Sequence, residues 1–431
     1  MHSPARFPRI VAASLALVLA AGACRNGGHA QSHAEGAIDW ASVSNRDLDI
    51  ASVFLVARDV GVRQALDSLQ VLTDKDPGLE PMGHALAHGL GRYAIAQHGY
   101  DISVFAQCRP TFLSGCYHGV LEGYLSANHG DASALRGVCT SAAIAKMPPY
   151  AFRECAHGMG HGLSGMHGHD LFAALGDCDR VLPDGVARRE CYDGVFMENV
   201  VHSLGTMDVN VGDAMAEHHA HAGHDVKLLK PDDPYFPCDS IAAPGHQPSC
   251  WAYQPVVFFQ QMRAMDRVVR GCDQAPAASQ ADCFRGLGKQ TMGWMPQKPD
   301  SVMHICRTAG AAHTADCIAG AVEYFVDREW KADGAFAFCA KVPAAEKDGC
   351  YRAVGERVAW IDPAPAAIRS ACAAAGAPAY AAACVSAAES EHAAETVAQA
   401  AAAAPPPSPL TAPHSAGAPH DHGAMPMHHP G

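Results

Sequence analysis

The sequence predicts an all-α fold, a right-handed-type α-solenoid of about nine helical hairpins, eight of them stapled by an internal disulfide. Three observations predict it. Sixteen of the seventeen cysteines fall into ordered pairs: Cys108 with Cys116, Cys139 with Cys155, Cys178 with Cys191, Cys238 with Cys250, Cys272 with Cys283, Cys306 with Cys317, Cys339 with Cys350 and Cys372 with Cys384. The second members of the last five pairs lie 33, 34, 33 and 34 residues apart. A period in the thirties with two elements per unit is the signature of stacked helical hairpins. Glycine also recurs three residues after the second cysteine, at Gly119, Gly158, Gly194, Gly286 and Gly320. A helical glycine costs about 1 kcal/mol relative to alanine, so its return at one register predicts close helix–helix approach.

The elements follow in order. Residues 1–23 read as an export signal, with Arg6 and Arg9 ahead of an apolar run from Ile10 to Ala21. That run is too short for an ordinary membrane span. Cys24, the cysteine outside the pairs, follows Ala21-Gly22-Ala23 and reads as a lipidation site, with plain secretion as the alternative. Export into an oxidising compartment explains the cysteine content, and each bridge closing a loop of a dozen residues stabilises by ~3 kcal/mol. The expected location is therefore periplasmic or cell-surface, with membrane contact only through the lipid.

Residues 24–45 are read as a flexible tether and 46–395 as the solenoid. Between about Arg46 and Asp76, Val62, Leu66, Leu69 and Leu72 have helical spacing. Met82-Gly83-His84-Ala85-Leu86-Ala87-His88-Gly89-Leu90 then shares a register with Cys155-Ala156-His157-Gly158-Met159-Gly160-His161-Gly162-Leu163. The solenoid thus begins one hairpin before the first bridge. Each hairpin is expected to open with a short helix ending near its first cysteine, such as Ala132 to Val138 or Phe172 to Gly176. The solenoid divides into a metal-site half (46–205), a histidine-rich insert (206–237) and C-terminal repeats (238–395). Residues 396–431 form an Ala/Pro/His/Met tail of disordered composition.

The period and the bridges resemble secreted cysteine-rich tetratricopeptide-like solenoids. The tetratricopeptide consensus of Trp, Leu-Gly, Tyr and Pro is not evident, so the resemblance implies a fold and no activity.

Alignment on the cysteine register exposes a second pattern. Two residues past the register position stand His84, His118, His157 and Asp193; four further on stand His88, Glu122, His161 and Met197. Residues four apart share one helix face, and neighbouring helices pack ~8–10 Å apart. The first three helices therefore each offer a pair of ligands to a common space. Asp193, Glu198 and His202 add candidates from the fourth. Later hairpins carry Ala252 and Val256, Arg285 and Lys289, Ala319 and Glu323, and Arg352 and Glu356 at the same positions. The fold itself therefore does not demand histidine there.

Mixed imidazole and carboxylate ligation suits iron, copper, zinc or manganese. The donors outnumber the three or four of one zinc, which points to a dinuclear site of His84, His88, His118, Glu122, His157, His161, Asp193 and His202. Helical-repeat deoxyhypusine hydroxylases are similar in strategy, placing a dinuclear site on stacked hairpins, but their adjacent His-Glu pairs are missing here and the reaction does not carry over. In an enzyme, Glu122 or Glu198 would be the general base, and Arg285 and Lys289 would hold an anionic substrate group. Arg352 and Glu356 read as a helix ion pair.

The expected function is an exported metalloprotein, as a metal-dependent oxidase, hydroxylase or hydrolase. One alternative is a periplasmic copper- or zinc-handling protein. It would use the insert's run from Glu217 to His224 and, in the tail, Met425, Met427, His428 and His429. The other is a metal-free scaffold that takes a protein partner on its concave face. A net charge of -13 argues against nucleic acid. No C-x-x-C pair, G-x-S-x-G elbow or phosphate loop is present.

Overall fold

A computed structural model describes residues 45–128, 135–183, 185–203, 229–295 and 298–403. Cys24, the tether through residue 44, most of the insert and residues 404–431 of the tail lie outside them; residues 396–403, read as tail, belong to the last helix. The described residues from Asp49 onward belong to one compact unit; of the preceding unit only 45–48 are described.

All regular structure among the described residues is helical. α1 (Asn45–Asp59) and α2 (Val62–Lys75) are separate helices because Gly61 takes φ 125°, which few side chains tolerate. Val62, Ala65, Leu66 and Leu69 of α2 repeat at three and four, and all are buried.

The inner helices follow: α3 (Glu80–Gln97), α4 (Gly115–Ala127), α5 (Tyr150–Met166), α7 (Val186–Ser203), α8 (Gln247–Met262), α10 (Gln280–Trp294), α12 (Gly310–Asp327), α14 (Lys347–Ile361) and α16 (Pro378–Ala403). Between them run the shorter outer helices α6 (Leu171–Val181), α9 (Met265–Asp273), α11 (Pro299–Thr308), α13 (Asp333–Lys341) and α15 (Pro365–Cys372). α6 starts where the Asp170 carboxylate accepts from the backbone N–H groups of Phe172 and Ala173.

Two hairpins depart from the expected pattern. Ahead of Cys108 the outer element is a 3₁₀ turn, Ile102–Gln107. Of the helix expected over Ala132 to Val138, the described residues keep only Leu135 in a 3₁₀ turn; a turn at Arg136 and Gly137 and a bend at Val138 follow, and Gly137 at φ 77° breaks any helical continuation.

All eight expected bridges are formed. In the first half Cys108 bonds to Cys116, Cys139 to Cys155, and Cys178 to Cys191. Further along, Cys238 bonds to Cys250, Cys272 to Cys283, Cys306 to Cys317, Cys339 to Cys350, and Cys372 to Cys384. Their Cα–Cα separations of 5.3–5.9 Å are the ordinary span of a disulfide. Each of Cys116, Cys155, Cys191, Cys250, Cys283, Cys317, Cys350 and Cys384 sits on an inner helix, so every bridge ties the preceding outer segment to the inner face.

The recurrent glycines lie where inner helices touch. A Cβ at Gly119 would collide with the His88 carbonyl oxygen, and at Gly194 with that of His157. Gly286 and Gly320 meet the carbonyls of Ala252 and Arg285 in the same way. Backbone against backbone, the inner helices carry their side chains to each other.

Hairpins distant in sequence also meet. Trp330 stacks on Tyr150 with ring centroids 5.0 Å apart. The Arg153 guanidinium lies 3.3 Å from the ring centroid of Trp360 and pairs with Glu395 of the last helix. The last three hairpins thus fold back onto α5.

Candidate metal centre

The close approach of α3, α4 and α5 gathers five imidazoles. His84 and His88 come from α3, His118 from α4, and His157 and His161 from α5. Ring centroids lie 4.5 Å apart for His84 and His88, 5.2 Å for His88 and His118, 4.8 Å for His118 and His157, and 5.1 Å for His157 and His161. His88 and His161, two helices apart, are separated by 5.2 Å. Three groups each bring three ligand atoms within 4.8 Å of one another. They are His84 with His88 and His118, His118 with His157 and His161, and His88 with Glu122 and His161.

The hydrogen bonds around the cluster fix where the protons are. His84 Nδ1 lies 2.7 Å from the Phe112 carbonyl oxygen, which can only accept. That carbonyl is aimed by three successive residues at positive φ, Phe112, Leu113 and Ser114, a conformation of order 1 kcal/mol or more for each. His88 Nδ1 donates to Glu122 Oε1 at 2.7 Å, and His161 Nδ1 donates to Glu198 Oε2 at 2.8 Å. With the proton on Nδ1, the Nε2 atoms of His84, His88 and His161 are all bare lone pairs.

Those lone pairs converge. His84 Nε2 and His88 Nε2 are 3.0 Å apart, and His118 Nδ1 is 3.3 Å from His88 Nε2. Two neutral acceptors at such distances repel unless something positive lies between them. Ligands 2.0–2.1 Å from a transition ion stand about 3.3 Å apart in a tetrahedron and about 2.9 Å apart in an octahedron. The observed spacings match these edges. His161 Nε2 is buried and has no hydrogen-bond partner among the described residues.

Electrostatics favours the neutral form, the one a ligand needs, at His84, His88, His118 and His157. Burial drives His84, His118 and His157 well below the ordinary imidazole range, and neighbouring imidazoles push them further. Burial also lowers His88, against the pull of Glu122. Burial works to raise Glu122, but His88 and Arg92 outweigh it and hold the carboxyl well below its usual range. Glu198 is likewise lowered, its burial outweighed by the His161 hydrogen bond.

Of the other residues singled out in the sequence, Glu122 belongs to one of the three ligand groups and Glu198, Asp193, Arg285 and Lys289 to none. Glu122 also pairs with Arg92, and Glu198 has His169 Nδ1 at 3.7 Å. Asp193 is in none of the three ligand groups; burial raises it to about 7, and Ser249 hydrogen-bonds to it. His202 lies on α7, but its side chain is not among those described.

Arg285 and Lys289 face acids of neighbouring hairpins, Glu323 at 2.8 Å and Asp327 at 2.7 Å. Arg357 joins them at 2.7 Å from Glu323, which these cations hold down at about 2 despite burial. Arg352 does not pair with Glu356. It turns back to Asp348 at 2.8 Å, while Glu356 lies 3.9 Å from Arg285. The register that carries histidine in the first half thus carries an ion network in the second.

Sequence reasoning missed Glu154. Its Oε2 lies 3.0 Å from His118 Nε2, and its Oε1 accepts from Trp330 Nε1 at 2.6 Å. It stands one residue before Cys155, where Glu190, Asp282 and Asp316 stand in other hairpins.

Compared with protein-family models, curated proteins and solved structures, the chain matches none. The chain is an all-α solenoid rich in disulfides, which suggests an oxidising compartment. Its histidine groups could hold a metal ion. Among the described residues, no helix is long and apolar enough to cross a membrane.

Proposed function

We propose that this is an exported metalloprotein whose first hairpins hold an imidazole-ligated transition ion. The observation that carries the reading is the set of lone pairs on His84 Nε2, His88 Nε2 and His118 Nδ1, spaced at 3.0 and 3.3 Å. His157 and His161 extend the donor set, which has room for a second ion. Glu122 and Glu198 hold His88 and His161 in the ligating tautomer, the usual company of a metal-bound imidazole. Neutral nitrogen donors favour zinc, copper, iron or nickel over magnesium or calcium.

The sequence raised Glu122 and Glu198 as general bases and Arg285 and Lys289 as substrate ligands. We assign the first pair to ligand orientation and the second to the ion network that packs the later hairpins. Asp193 and His202 are left outside the ligand set. The ion supplies Lewis acidity or a redox couple when bound; a binding centre is the form the residues support.

The test is metal content. Untagged protein purified from an oxidising compartment is expected to carry metal in stoichiometric amount. A variant with His84, His88, His157 and His161 changed to Ala is expected to lose it. Metal retained by that variant, or lost only when residues 206–237 and 396–431 are deleted, would overturn the reading in favour of metal handling by the insert and tail. Protein that binds no metal in either form would leave the scaffold reading.

A further inference from the structure

The metal centre is made by the first hairpins, yet one of its hydrogen bonds leads to the seventh. To ligate through Nδ1, the atom that faces His88, His118 must carry its proton on Nε2. The acceptor for that Nε2–H is Glu154 Oε2 at 3.0 Å. Glu154 is 8% exposed, and its other oxygen accepts from the indole of Trp330, 176 residues further along the chain. Trp330 is itself 6% exposed, sits at positive φ just after α12, and stacks on Tyr150 at the start of α5.

Resting on the metal-centre reading above, we propose that Glu154 and Trp330 form a positioning relay. Trp330 holds the Glu154 carboxylate, and Glu154 holds His118 in the tautomer that ligates through Nδ1, so the metal centre is complete only when the later hairpins lie against α5. Indole can only donate, so Glu154 Oε1 accepts. Once Glu154 is ionised, the form that a cation bound to His118 favours, its Oε2 accepts from Nε2 of a His118 that ligates through Nδ1. Outer hydrogen bonds of this kind fix the ring orientation and raise the basicity of the ligating nitrogen. The relay is reciprocal by linkage: an ion that favours the His118 tautomer also favours the contact with Trp330.

Among the described residues, no other hydrogen bond runs from the histidine cluster to the later hairpins. Lys289 and Arg357 face carboxylates of their own network, and Arg153 closes the same seam through acids and an indole.

The experiment uses the full, disulfide-bonded chain and zinc alone as the probe. Zinc affinity is measured by chelator competition for the wild type, Glu154→Gln and Trp330→Phe. Glutamine keeps the volume of Glu154 but turns one of its two acceptors into a donor. Affinity is expected to fall about 10- to 100-fold in Glu154→Gln, and in the same direction but less in Trp330→Phe. With ¹⁵N-tryptophan label, the Trp330 indole resonance, assigned by its loss in Trp330→Phe, is expected to shift on zinc addition to the wild type. That shift is expected to vanish in Glu154→Gln. Far-UV circular dichroism and an intact-mass count of bridges separate lost folding from lost positioning, and if Glu154→Gln does not fold, Trp330→Phe carries the test.

Wild-type affinity in both variants, or a Trp330 indole unmoved by zinc that does bind, overturns the relay and leaves the metal centre standing. A wild type that binds no zinc or other transition ion overturns the metal centre and the relay with it.

Discussion

The Nδ1–H of His88 points at Glu122 Oε1 across 2.7 Å, from one inner helix to the next. His161 and Glu198 repeat the arrangement at 2.8 Å, again between neighbouring inner helices. Each acid serves an imidazole of the helix before it, so both Nε2 atoms are left for an ion. Glu122→Gln and Glu198→Gln are each expected to weaken metal binding by about 10- to 100-fold without abolishing it. His88→Ala, which removes a donor, is expected to cost more. Chelator competition on the purified variants checks the order; equal losses for the glutamine and alanine variants would make the carboxylates ligands instead.

The metal-free protein should lose stability as the solution turns acid. His84, His118 and His157 are depressed well below an ordinary value near 6.5, by burial first. Below about 6.5 the unfolded chain takes up protons that these folded imidazoles refuse. Their contribution is therefore full above that value and is lost as pH falls towards the folded values, at up to about 1.4 kcal/mol per histidine per pH unit. Glu122, lowered in the fold, acts in the same direction at more acid pH. Glu154, raised to about 8 by burial, acts oppositely, and its contribution declines as pH rises through that value. Comparing melting temperatures at pH 7.5 and 5.5 for the wild type and His157→Asn isolates the histidine contribution. The wild type is expected to lose more on acidification, and identical losses would mean that His157 titrates normally.

Much of this was legible in the chain, because repeats write their geometry into spacing. The cysteines set the register, the register aligned His84, His118 and His157, and hairpin stacking makes aligned residues neighbours. What stayed hidden depends on sums rather than on repeats. Whether Trp330 comes back to Tyr150 depends on the curl accumulated over several hairpins, to which each contributes a small rotation that leaves no trace in its own residues. Phe112 was hidden for a different reason: its carbonyl is a ligand-orienting group only because three non-glycine residues adopt positive φ, and a backbone oxygen has no residue type to read.

The glycine register can be tested apart from the metal. Gly119→Ala puts a methyl against the His88 carbonyl, where the nearest atoms are all backbone, and overpacking that cannot relax costs typically about 1–3 kcal/mol. Gly165, near the end of α5, has nothing within 4 Å of a Cβ position. Gly165→Ala is expected to be neutral or to stabilise by up to about 1 kcal/mol through helix propensity. Urea midpoints of the two variants give the contrast. Because Gly119 sets the distance between His88 and His118, its variant is also expected to bind metal less tightly. If both substitutions behave alike, close backbone packing is not what the recurrent glycine provides.

Arg153 is the last test, because it joins the two halves of the coil by charge as Trp330 does by contact. Its side chain is 5% exposed, lies 2.5 Å from Glu190, and reaches Glu395 and, at 3.9 Å, Glu391 of the final helix. The guanidinium also covers the face of Trp360, a contact worth about 2 kcal/mol when desolvated. Removing a buried cation strands its acids, so Arg153→Ala is expected to cost about 3–5 kcal/mol. Arg153→Lys is not expected to rescue it, since one ammonium cannot span acids on two helices and stack on an indole. The two variants also differ from a core defect in shape. Small-angle scattering is expected to show a larger radius for both, as the later hairpins move off α5, with all eight bridges still intact. A fully stable Arg153→Ala protein of unchanged radius would mean that the aromatic stack of Tyr150 and Trp330 closes the coil alone.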